Sequence, residues 1–126
     1  MRKLGIALVA AALGTGPAGE PEIWVFFSPD APDASAIFRA LEGRPGVRPV
    51  LLVERYFGTA EPREAFLSTV AAAGREIRVV DEEGRLEAER LGISELPAVA
   101  VKVGGRVHLA AGSRLDVGEV LRCAGY

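Results

Sequence analysis

Cysteine and histidine each occur once in this 126-residue sequence, as Cys123 and His108. A single thiol cannot close an internal disulfide. One thiol and one imidazole cannot supply the ligand set of an ordinary zinc site, so no metal is expected. The sequence has no Gly-x-Ser-x-Gly elbow to pair His108 with an activated serine, and no glycine-rich phosphate loop. The acidic run "DEEG" (Asp81 to Gly84) is shorter than a calcium-binding loop and reads as a helix cap with solvated charge. Formal net charge is −2, and the arginines are dispersed along the chain. That leaves no basic footprint for nucleic acid. Repeats, low-complexity tracts and internal linkers are also missing, and nothing points to a cofactor.

What the chain does have begins with "MRKLGIALVAAALGTGPAG". Two basic residues precede an apolar stretch from Leu4 to Leu13, followed by small residues, which reads as a secretory signal peptide over 1–19 with cleavage near Ala18 or Gly19. The stretch is short for a membrane span, which needs about 20 apolar residues. No cysteine follows it, so lipid attachment there is excluded. The expectation is export to the periplasm or beyond, with membrane contact only through the signal peptide and one domain over 20–126. Without Arg2 and Lys3 the fifteen basic residues become thirteen, against seventeen acidic ones. The remainder is mildly acidic.

The order of elements follows from periodicity. "EIWVFF" (Glu22 to Phe27) is a continuous apolar run of strand length, expected at the centre of a sheet covered on both faces. From Asp33 to Glu42, Ala34, Ile37, Phe38 and Leu41 keep helical spacing, and Gly43 is placed to end the helix. "VRPVLLVER" (Val47 to Arg55) reads as a second buried strand that tolerates Pro49 near its start. After the turn-like "YFGTAEP", a helix is expected from Pro62 to Ala73. "EIRVVD" (Glu76 to Asp81) reads as a third strand, and "EEGRLEAERLG" as a short helix capped by Asp81 and ended by Gly92.

Two further apolar runs flank Gly104-Gly105, a two-residue hairpin signal. In the second run Val107 and Leu109 share one face and Arg106 and His108 the other, the pattern of an edge strand with a solvated histidine. "SRLD" (Ser113 to Asp116) reads as a capping box opening a last helix on which Val117, Val120, Leu121 and Ala124 keep helical spacing. The order β-α-β-α-β-α-β-β-α predicts an α/β fold: a mixed sheet of right-handed parallel crossovers and a final hairpin, with helices on both faces.

Individual residues invite chemical readings. Asp30 and Asp33 form a pair that could be read as acid and base, yet aspartates in a helix's first turn are expected from capping and the macrodipole alone. Trp24, in the central strand, reads as core. Cys123 admits three readings: a buried small hydrophobe on the last helix, an intermolecular bridge, or a reactive thiol.

Two stretches resemble the thioredoxin-like superfamily, whose fold is a three-layer α/β/α sandwich. "WVFFSPDAPDA" looks like that family's active-site strand-turn-helix, where Cys-x-x-Cys opens the helix. "LGISELPAVAVKVGGRV" is similar to the segment carrying a cis-proline. Carried over residue by residue, the cysteine positions fall on Ala31 and Ala34, with Pro32 and Asp33 between them, and the cis-proline on Pro97. The resemblance therefore implies a scaffold that activates a thiolate without the thiol.

It further implies that Leu96, Pro97 and Ala98 form a segment able to pair with an extended peptide through its backbone. Within the superfamily, "LEAERLGISELPAVAV" and "GSRLDVGEVL" resemble the TrbC-type proteins of F-type conjugative transfer, exported pilus-assembly factors that generally lack the cysteine pair. Two readings stay open. One is a redox-inactive, exported protein that binds another polypeptide of the cell envelope, as an assembly or chaperone-like factor. The other is a thiol-disulfide oxidoreductase whose cysteines at positions 31 and 34 have been replaced by alanine.

Overall fold

Strands β1 (Ile6–Ala10), β2 (Glu22–Phe27), β3 (Val47–Leu51), β4 (Ala98–Val103) and β5 (Arg106–Ala111) form one sheet in the order β1-β5-β4-β2-β3. The computed structural model describes residues 6–10, 21–29, 33–52, 63–78, 80–112 and 115–125. β2 runs parallel to β3 and antiparallel to β4, β4 and β5 make the antiparallel hairpin, and β1 adds antiparallel to β5. Helices α1 (Ser35–Ala40), α2 (Arg63–Ala73), α3 (Glu82–Leu91) and α4 (Val117–Cys123) complete the layers.

β2 is central because both its faces are apolar. Ile23, Val25 and Phe27 point into one core with Ile37, Phe38 and Leu41 around α1, Ala73 of α2, and Val117, Val120 and Leu121 of α4. Trp24 and Phe26 point into the other, with Val50, Leu52, Ala100 and the α3 residues Ala88 and Leu91. This alternation is the two-residue period of a strand. Every side chain from Ile23 to Phe27 is buried. At about 1.5–3 kcal/mol for each large apolar side chain removed from water, β2 anchors both cores. Phe27 meets Phe38 edge-on at 6.1 Å, tying β2 to α1.

Local chemistry accounts for the ends of the elements. Asp81 caps α3, its carboxylate accepting from the Gly84 amide at 2.9 Å. Gly92 closes that helix in the left-handed region, φ 71°. Gly104 and Gly105 both have positive φ, as a type I′ hairpin turn requires.

Five expectations are corrected. Glu76 to Arg78 form no strand. There the Arg75 guanidinium donates to the Val47 and Arg44 carbonyls, so a side chain caps the backbone of β3 in place of a third parallel strand. Asp81 caps α3, as expected. β5 is an interior strand, because β1 covers its outer edge, and His108 is accordingly buried rather than solvated.

The last helix starts at Val117, capped by Asp116 accepting from the Glu119 amide. Asp116 is therefore the cap itself and not the third residue of a capping box. Ser113 lies outside the described residues, as do 1–5 and 11–19 of the expected signal peptide and the turn "YFGTAEP". Finally, Cys123 is exposed, not a buried hydrophobe.

Candidate functional site

The chain leaves the carboxyl end of β2 toward α1, and of the residues singled out from sequence Asp33, Ala34, Leu96, Pro97 and Ala98 lie at this end of the sheet. Asp30, Ala31 and Pro32 lie outside the described residues. Asp33, Ala34 and Ser35 follow, and the amides of Ala34 and Ser35 are held by side chains. The Asp33 carboxylate accepts from the Ser35 amide at 2.8 Å. The Ala34 amide donates at 2.9 Å to the hydroxyl of Thr69 on α2, and that hydroxyl lies 3.3 Å from the Asp33 carboxylate.

Ala34, Ser35 and Thr69 are buried while Asp33 is exposed. The hydrogen bond from the Ser35 amide, helped by Thr69 and by the charge of Arg39, holds the Asp33 carboxyl below the usual carboxylate range. Asp33, one residue before the N-cap Ala34, thus braces the backbone at the start of α1, a reading that needs no chemistry. Ala34 presents a methyl group at the head of α1, with only 1% of its surface exposed.

The Leu96–Pro97 peptide bond is cis. Pro97 is buried, and its carbonyl accepts from the Gly112 amide at 2.9 Å. Ala98 begins β4 in register with Phe26, which puts the Leu96-Pro97 segment at the same end of the sheet as the β2-to-α1 connection. Leu96 remains partly exposed beside the second core.

A second cluster, at the opposite end of β2, escaped sequence reasoning. Trp24 lies between two cations: the Arg48 guanidinium is 4.4 Å from its ring centroid and the Lys102 ammonium 3.9 Å. Arg48 pairs with Asp81 at 2.8 Å and Glu83 at 3.0 Å, and Lys102 pairs with Glu87 at 2.6 Å. Burial alone would raise the Glu87 carboxyl, but hydrogen bonds from Arg90 and Lys102 outweigh it and hold the group low.

The indole N–H donates to Glu22. A cleft of about 460 Å³ opens over this network, lined by Glu22, Trp24, Arg48, Glu83, Glu87 and Lys102. The available signal was the strand register, which sets Trp24 beside Arg48 and Glu22 beside Lys102. Each charge is answered by a neighbour, so the cluster clamps α3 to the sheet. Among the described residues, no group of three or more His, Cys, Asp and Glu side chains is placed to hold a metal ion.

No protein-family model matches this sequence. No curated protein matches it either. Among solved structures, the chain is similar to Mycobacterium tuberculosis DsbF in its mixed oxidized and reduced forms, with a TM-score of 0.50 and 20% identity over 83% of this chain and 78% of that one. It is also similar, at a TM-score of 0.49 and 16% identity over 83% of each chain, to a secreted M. tuberculosis disulfide oxidoreductase homologous to E. coli DsbE. The sheet order, the helices on both of its faces and the likeness to DsbF give this chain a thioredoxin-like fold.

Proposed function

We propose that the chain is an exported, redox-inactive thioredoxin-fold protein that binds another polypeptide in the cell envelope, as an assembly or chaperone-like factor. The observation that carries this reading is the placement of the sulfur. The single thiol, Cys123, stands exposed on α4, while Ala34 fills the head of α1. A thioredoxin-type nucleophile needs a thiolate at that helix start, and alanine supplies none.

What remains is backbone. Leu96, Pro97 and Ala98 lie at the carboxyl end of β2, from which the chain leaves toward α1, and main-chain pairing with an extended peptide requires no sulfur. The N-terminal pattern of 1–19 supports export, and the resemblance of "LEAERLGISELPAVAV" to TrbC-type segments supports a conjugative pilus as the apparatus.

The test is a disulfide-reduction assay on the exported Cys123→Ser chain, with its N-terminus read by mass spectrometry. No turnover and cleavage near Ala18 or Gly19 are expected. Turnover in that variant, or an intact N-terminus after export, overturns the reading.

A second reading, a thiol-disulfide oxidoreductase whose cysteines at positions 31 and 34 have been replaced, is favoured by Ala34 standing where the fold would carry a thiol. It requires Ala31→Cys with Ala34→Cys to give a pair that cycles in the same assay, with the first thiol titrating below about 8.5. An inert double variant removes it.

A further inference from the structure

β3 and β5, the two outermost strands once β1 is set aside, are treated differently. Along β3 the Gly46 carbonyl and the Leu52 amide bond to β2, so the odd positions between them turn outward. Pro49 therefore faces the open side with no N–H to offer, and Arg75 caps the outward Val47 carbonyl. Proline and a side-chain cover are the usual devices that blunt an edge against further strands.

β5 has neither device. Its sequence, RVHLAA, has no proline or lysine, and its one formal charge is Arg106 at the end nearest the turn. Such an edge is left unguarded only where something covers it.

β1 is that cover. It pairs with β5 through five successive positions, from Ile6 opposite Ala110 to Ala10 opposite Arg106. Its sequence, IALVA, is uncharged. Yet β1 lies within the segment that the export reading removes. His108, opposite Leu8, is buried, so the covering strand stands against a desolvated part of β5 and a charge there would be unfavourable.

We infer that β5 is a strand-docking edge: β1 occupies it in the full chain, and once that segment is removed an uncharged, apolar strand of about five residues from a partner polypeptide takes the same antiparallel place. This inference rests on the export and polypeptide-binding reading above, and names the kind of partner and a second place where it binds. Backbone pairing supplies the affinity and the alternating apolar positions the selectivity.

The test compares the full chain with the chain recovered after export, using as probe a peptide of residues 4–12, LGIALVAAA, with a solubilising lysine pair added at one end. Hydrogen exchange of the β5 amides is the readout. The exported chain should exchange about tenfold or more faster than the full chain at the Val107 and Leu109 amides, which face β1 while the alternate ones bond to β4. The peptide should restore protection there, have no effect on the full chain, and fail when it carries Val9→Pro, which removes the donor facing Val107.

Should the exported chain not accumulate in folded form, Val9→Pro in the full chain opens the same edge by removing a ladder donor. Val107 and Leu109 amides that stay protected without peptide, whether through a second copy seen as a doubled mass or through cover from within the chain, overturn the inference. So does a peptide that leaves exchange unchanged in both opened forms. A chain that is never exported but binds the peptide after Val9→Pro removes the export reading and leaves the docking edge standing.

Discussion

The Thr69 hydroxyl on α2 accepts the Ala34 amide at the head of α1 at 2.9 Å, across 35 positions of sequence. Both residues are buried, so the bond fixes where the first helix begins relative to the second, and with it the shape of the candidate site. Thr69→Val keeps the volume and removes the acceptor, leaving a buried N–H without this partner. A loss of about 1–3 kcal/mol in urea unfolding is expected, with faster exchange at the Ala34 amide. Unchanged exchange there would show that the helix start is set by something else.

Asp33 makes the same helix start sensitive to acid. Its folded carboxyl titrates below its unfolded value because the Ser35 amide bonds the charged form. Its contribution is therefore complete above about pH 4 and fades as the pH falls through the lower folded value. Asp33→Asn should remove that part of the acid sensitivity and lower stability at neutral pH by less than about 1 kcal/mol, because the asparagine side-chain oxygen still accepts from the Ser35 amide. Denaturant titrations of the two proteins at pH 3 and pH 7 measure both effects.

His108 titrates in the other window. Burial pushes its imidazole down and the charge of Arg106 adds to this, so the unfolded chain takes up a proton at a higher pH than the folded one. Stability should be unaffected by this group above about pH 6.5 and decline as the pH falls from there toward the folded value. His108→Gln should flatten the slope between pH 6.5 and 5. A slope that persists in the variant would assign it to other groups.

Gly84 lies inside α3, where alanine would ordinarily gain about 1 kcal/mol in helix propensity. A Cβ at this position would stand 2.5 Å from Val50 Cγ1 and 2.8 Å from the Asp81 carboxylate. The clash falls on the α3–sheet contact and on the carboxylate that caps the helix and binds Arg48. Overpacking of about 1–3 kcal/mol outweighs the propensity gain, so Gly84→Ala should destabilise the protein. A higher melting temperature in calorimetry would contradict this.

Much of this architecture was legible in local pattern. The apolar run from Glu22 to Phe27 announced the central strand, the helical spacing around Phe38, Phe66 and Val120 announced three helices, and Gly104-Gly105 announced the hairpin. The errors arose where a distant partner decided the outcome. Glu76 to Asp81 has strand-like composition, but Arg75 and the Asp81 cap take the bonds a strand would need. β5 alternates like an edge strand, yet a segment some hundred positions earlier in the chain lies along it. The pairing of Trp24 with Arg48 and Lys102 depends on register across three strands, which no window of sequence contains. At the candidate site the alanines at 31 and 34 were readable at once, because a missing thiol is a matter of composition and not of packing.

Trp24 is the only tryptophan in the chain. Its excited state shifts electron density across the indole, so the two cations against its ring act on its emission as a built-in electric field. One comes from β3 and one from β4, and both are tethered by carboxylates at the head or along the length of α3. A detachment of α3 would free those cations before the sheet itself came apart. The intrinsic fluorescence of the protein is thus a local gauge of whether that helix is seated, obtained without any added label.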